Sequence, residues 1–163
     1  QYNSFHTILC RHAFELSYTS NDLMAFANDC DYYNEHKQVY PPFEWNSKRR
    51  HLLKCEINAI SAILYNLNQQ NFEWVLDPEY PGETFRVLKE TENKDFNQYQ
   101  TKTDSLSYFI EIQKAISEQH IYTSRIPKIR DDEILYRIFN KNNIEKRRKE
   151  KKIHSIDGNW DSS

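Results

Sequence analysis

The chemistry-bearing residues of this chain are six histidines, three cysteines and a scatter of carboxylates. His6 and Cys10 stand four apart, and Cys10 and His12 two apart. On a helix the first pair shares a face, where an imidazole and a thiolate could hold a zinc ion. Such a site needs third and fourth ligands. None declares itself at a sensible spacing, so no metal ligands are assigned. His12 falls on an apolar face and reads as a core histidine with a satisfied ring. The stretch "EYPGETFRVLK" has glutamates and a lysine but neither the Asp of a nuclease Asp…Glu-x-Lys set nor the strands that would align it. With two glycines in 163 residues, the chain cannot build a dinucleotide-binding G-x-G-x-x-G, a Walker loop or a G-x-S-x-G elbow. There is no C-x-x-C pair, and no catalytic residue is assigned.

Basic residues are the remaining lead. "KRRHLLK" puts Lys48, Arg49, Arg50 and Lys54 at the start of a helix. "EKRRKEKK" puts Lys146, Arg147, Arg148, Lys149, Lys151 and Lys152 near the end, with a local charge of +4 from six basic and two acidic residues. Runs of this kind can neutralise phosphates, with strong salt dependence. They can equally be a solvated helix end and a polar tail. Tyr32, Tyr33 and Tyr40 could stack on bases or dock into a core. The net charge of −2 announces no polyanion partner.

The elements that must position these residues read as helices. Gly and Pro are scarce, which argues against the many tight turns of an all-β domain. Mean hydropathy is −0.91, but nine Phe, eleven Tyr and three Trp supply large units of burial. Helical spacing links Phe5, Ile8, Leu9, His12, Ala13 and Leu16, and then Leu23, Phe26, Ala27 and Cys30 after a cap-like Ser20-Asn21-Asp22. Pro41-Pro42 forbids helix in the aromatic loop that follows, and Phe43 and Trp45 are expected to dock it. The longest stripe is Leu53, Ile57, Ile60, Leu64 and Leu67, widened by Leu52, Ala59 and Ile63. A turn of about 100° per residue leaves Arg49 and Glu56 at its border. A half-buried charge needs a partner, so the two are expected to join a polar network with a neighbouring helix. "QNFEWVLDP" reads as one or two helical turns stopped by Pro78. Pro81-Gly82 then turns the chain into a helix begun by Glu83 and Thr84, with Phe85, Val87 and Leu88 facing the core. A further helix over 102–120 carries Leu106, Phe109, Ile110, Gln113 and Ile116 on one face, and "DDEILYRIF" begins a last apolar segment.

Three stretches, with the order in which they come, resemble a known family. They are "ELSYTSNDLMAFANDC", "PPFEWNSKRRHLLKCEINAISAILYNLNQQNFEWVLDP" and "PGETFRVLKETENKDFNQYQTKTDSLSYFIEIQKAI". Over roughly residues 15–117 the chain resembles the C-terminal region of large Eco57I-like type II restriction–modification proteins. Their main activity is adenine-specific DNA methylation, and similar regions occur in methylases of phage-defence systems. The chain departs from the pattern at Asn66, where relatives carry Gly, and at Gln98-Tyr99-Gln100-Thr101-Lys102-Thr103, where two arginines are replaced and Lys102 alone remains. The resemblance places the glycine motif for S-adenosylmethionine and the Asn-Pro-Pro-Tyr catalytic motif of such proteins far upstream. This chain contains neither, so S-adenosylmethionine is implied for the parent protein and no cofactor for this chain.

The expected fold is mainly α, an irregular multi-helix bundle with a long aromatic loop. A single helical domain is expected over 1–144 and a basic, flexible tail over 145–163. Opening on Gln1, the chain reads as a piece of something longer, or as a processed or trimmed chain. By resemblance it is a non-catalytic accessory region that docks on the rest of the methylase polypeptide, or on a defence-system subunit, and helps hold the DNA backbone. Arg49, Arg50, Lys54 and Lys102, then Lys146, Arg147, Arg148 and Lys149, are the expected phosphate contacts. The alternative is a protein–protein module without DNA contact. Three cysteines, Cys10, Cys30 and Cys55, read as reduced thiols of a cytoplasmic protein. No apolar run approaches the roughly 18 residues of a membrane span.

Overall fold

The structure is a computed structural model that describes residues 2–78 and 83–130. The fold is mainly α. Six α-helices occur among the described residues: α1 (Tyr2–Ser17), α2 (Met24–Asp29), α3 (Ser47–Leu64), α4 (Gln69–Leu76), α5 (Glu83–Phe96) and α6 (Gln100–Ser117). A 3-10 turn, Asn21–Leu23, precedes α2. No strand occurs among the described residues, and Tyr33 and Val39 form an isolated antiparallel bridge. No described helix is long and apolar enough to cross a membrane. The segment beginning "DDEILYRIF" and the tail lie outside the described residues.

The chain divides into two compact units, Gln1–Ser17 with Glu44–Pro127, and Tyr18–Phe43 with Lys128–Ser163. In the first, the 18-residue helices α3 and α6 make the most extensive helix–helix contact, and α1, α4 and α5 pack beside them. Local chemistry sets the ends of these helices. Asn46 Oδ1 accepts from the Arg49 amide at 2.9 Å and caps α3. Asn66, at φ 56°, takes the left-handed conformation that ends it. Asn68 Oδ1 accepts from the Asn71 amide at 2.8 Å and opens α4. The N-cap of α6, Tyr99, offers no side-chain bond. Glu92 of α5 takes that role, accepting from the Thr101 amide at 2.7 Å and the Thr101 hydroxyl at 2.6 Å.

The core joins Leu53, Ala59 and Ile60 of α3 to Tyr108, Phe109 and Ile112 of α6. Phe5 and Ile8 of α1, Phe72 and Leu76 of α4, and Tyr122 and Ile126 complete it. Two helices are rotated from the sequence expectation. In α6 the buried set is Ser105, Tyr108, Phe109 and Ile112, while Ile110 and Ile116 face solvent. Both faces have helical spacing, and the second is the one packed against α3. In α3 the buried face includes Cys55, Glu56 and Ala62, and Leu64 is exposed. Val87 and Leu88 of α5, expected to be anchors, are exposed.

In the second unit, Tyr18, Tyr32 and Phe43 are buried, and Tyr32 stacks on Phe43 with ring centroids 5.8 Å apart. Arg130 hydrogen-bonds the Tyr32 hydroxyl and donates to the Pro41 carbonyl at 2.7 Å and the Pro42 carbonyl at 3.2 Å. It thereby holds a loop whose prolines can donate nothing. Of the expected 20–30 helix only Ala27 is buried; Leu23 and Phe26 are exposed.

The phase of α6 is checked by two substitutions. Phe109→Ala, whose ring lies 5.0 Å from that of Phe72, should cost about 3–5 kcal/mol in urea unfolding. Ile110→Ala should cost under about 0.5 kcal/mol.

Candidate functional site

Three polar clusters surround the α3 helix. The first is buried. Glu56 has no solvent exposure. Its Oε2 accepts from His12 Nε2 on α1 and from the Ser124 hydroxyl, each at 2.7 Å, and its Oε1 accepts from the Tyr122 hydroxyl, also at 2.7 Å. Burial alone would raise the Glu56 pKa. The bonds from His12, Tyr122 and Ser124 outweigh it and hold the carboxyl below its ordinary value. The ionised carboxylate can only accept, so His12 Nε2 carries the hydrogen between them. Among the described residues His12 Nδ1 has no hydrogen-bond partner, and neither do Nε and Nη2 of the buried Arg11 next to it. Burial, with the Glu56 carboxylate adding to it, pushes the Tyr122 hydroxyl far up, so it stays a donor. This cluster joins α1, α3 and the 122–124 segment; His12, Glu56 and Tyr122 are buried and Ser124 is half-buried.

The second cluster holds the basic residues. Arg49 grips Glu15 of α1 in a two-pronged pair, Nε to Oε1 at 2.5 Å and Nη2 to Oε2 at 2.9 Å. Arg50 donates through both terminal nitrogens to the Leu16 carbonyl at 3.1 Å, with its guanidinium 3.9 Å over the Trp45 ring. Trp45 is mostly exposed, and it serves as a platform for Arg50 instead of docking into a core. Lys102 pairs with Asp77 at 3.2 Å, and Lys89 meets the same carboxylate at 2.7 Å. Lys89 chiefly, then Lys102, holds Asp77 below its ordinary value against a smaller upward push from burial. Lys54 is exposed and has no partner among the described residues. A cleft of about 490 Å³ beside α3 is lined by Lys48, Arg49, Leu52, Tyr108, Arg125 and Ile126. Arg125 also pairs with Glu111. Lys146, Arg147, Arg148 and Lys149 lie outside the described residues.

The third cluster was not legible in the sequence. His51 and Cys55 lie one turn apart on α3, and Asp104 of α6 stands across from them. His51 Nε2 is 2.8 Å from Asp104 Oδ2 and 3.5 Å from Cys55 Sγ. One ring nitrogen meets both groups, so the trio is not the relay of a nucleophilic triad, which uses the two nitrogens for opposite partners. Burial, helped by the Asp104 and Glu92 carboxylates, pushes the Cys55 thiol up to about 12, far from a reactive thiolate. The spacing His51-x3-Cys55 repeats His6-x3-Cys10, which also meets, at 3.6 Å. The signal was therefore present twice, but Asp104, 49 residues further on, had nothing to mark it.

An apolar groove of about 270 Å³ opens where α3 meets α4, lined by Ala62, Tyr65, Leu67, Phe72, Val75 and Leu76. Tyr65 is 80% exposed, Trp74 63% and Val75 45%.

The buried cluster predicts how acid acts. The folded pKa of Glu56 is depressed from 4.5. Its contribution is therefore present above that pH and lost as pH falls through the folded value. Glu56→Gln should cost about 2–4 kcal/mol at pH 7, and the deficit should shrink below the ordinary carboxylate range. Urea unfolding at pH 7 and pH 3 measures it; an equal deficit at both refutes the assignment.

No protein-family model, no curated protein and no solved structure matches the chain.

Proposed function

We propose that the chain is a non-catalytic accessory region of an adenine-specific DNA methyltransferase of a restriction–modification or phage-defence system. In this reading it docks on the remainder of that polypeptide and lends it a contact to the DNA backbone. S-adenosylmethionine and the transferred methyl group belong to the upstream part. The resemblance of the quoted motifs suggests the parent. The observation that carries docking is the α3–α4 groove with the exposed Tyr65 and Val75 in its lining. A large aromatic side chain in water beside an apolar groove is a usual component of an interface centre.

The pairing of the basic residues favours the second reading, docking without DNA contact. Arg49, Arg50 and Lys102 already have partners within the chain. A phosphate must compete with Glu15, the Leu16 carbonyl and Asp77 for them. DNA contact then rests on Lys54, on Lys48 at the charged cleft and on the basic run at 146–152.

Two experiments separate these readings. Expressed as two pieces, the upstream methyltransferase and this chain should copurify. Tyr65→Glu with Val75→Glu should weaken that association at least about tenfold while leaving the chain folded; failure of the unaltered pieces to associate overturns docking. Titration of non-specific duplex against salt tests the DNA contact. Lys48→Ala with Lys54→Ala should lower affinity and flatten the salt slope, whereas Arg49→Ala should chiefly lower stability. Absence of binding even at low salt leaves docking alone.

A further inference from the structure

The geometry points to a binding site for a zinc-class divalent cation made by His51, Cys55 and Asp104. It rests on no part of the methyltransferase reading. The three ligand atoms lie within 4.8 Å of one another. Tetrahedral zinc, with bonds of about 2.0–2.3 Å, separates N, O and S ligands by roughly 3.3–3.6 Å. The His51–Cys55 separation of 3.5 Å already matches. The His51–Asp104 separation of 2.8 Å needs the carboxylate to move back by about 0.5 Å to meet that spacing.

The rest of the surroundings fits such an ion. Soft sulfur beside imidazole and carboxylate selects zinc-like ions over magnesium or calcium. All three ligands stand on α3 and α6, the most closely packed pair of helices, so they are held on rigid elements. Gln100 Nε2 donates to Asp104 Oδ2 at 2.9 Å, an outer-shell bond that orients the carboxylate. Cys55 is buried, while the His51 and Asp104 side chains keep 27% and 20% of their exposure. That leaves a path for the ion and a fourth position for water. On binding, the proton on His51 Nε2 passes to Nδ1 and the nitrogen lone pair goes to the metal. Cys55 releases its thiol proton to solvent as the sulfur–metal bond forms. The His6–Cys10 pair has the same spacing but no third ligand atom among the described residues, and it serves as the internal control.

The test is titration of the metal-stripped full chain with Co²⁺ and then Zn²⁺. One equivalent of Co²⁺ should give a thiolate-to-cobalt charge-transfer band and the strong visible bands of a four-coordinate ion, and Zn²⁺ should displace it. Zn²⁺ at about 100-fold over its Kd should raise Tm by roughly 5–10 °C. Cys55→Ser or Asp104→Asn should weaken binding by roughly 100-fold or more, Gln100→Ala by about tenfold, and Cys10→Ser not at all. Should Cys55→Ser fail to fold, His51→Asn, at a partly exposed position, reads the same loss. Absence of the band in the unaltered chain, its survival in the ligand variants, or its loss in Cys10→Ser overturns the site.

Discussion

A carboxylate without solvent is the constraint around which the first unit is built. Moving Glu56 out of water costs several kcal/mol unless its oxygens are answered. Three donors from separated parts of the chain answer them: His12 from α1, and Tyr122 and Ser124 from beyond α6. The apolar contacts around Leu53, Ile60 and Phe109 are tolerant of small shifts; this cluster is not. It fixes the rotation of α3, because only one phase of that helix points Glu56 at His12. Arg49, on the same side two turns earlier, then reaches Glu15, and Arg50 reaches the end of α1. The α1–α3 interface is thus registered by polar pairs along its length.

The same pairs change how the basic residues should be viewed. In the sequence, "KRRHLLK" is a run of positive charge. In the fold its two arginines are fasteners: one holds a carboxylate, the other a helix-terminal carbonyl over a tryptophan ring. Arginine suits both tasks because its planar fork forms paired bonds and stacks. The lysines of the run, Lys48 and Lys54, are left in water.

Much of the helical plan could be read from spacing and caps. Asn66 as a left-handed stop, Pro78 closing the α4 segment and the need of Arg49 and Glu56 for partners all follow from local rules. Facial assignments were harder where polar residues went inside. Glu56 is buried by tertiary pairing and Ser105 and Tyr108 by the packing of α6 against α3, which no periodicity of apolar letters reveals. The His51–Cys55–Asp104 group depends on α3 lying against α6, a long-range fact.

The way α6 begins has a kinetic consequence. Its first turn is capped from outside, by Glu92 of α5, and not by its own N-cap residue. Apart from that carboxylate, α5 is tied by Lys89 to Asp77, while Val87 and Leu88 lie in water. Peeling α5 away therefore exposes little apolar surface among its described side chains, and local opening of that kind lies low on the ladder of free energies. Each such opening also strips the cap from α6. The start of α6 breathes in step with α5, while its middle, clamped by Tyr108, Phe109 and Ile112, opens only with the whole unit.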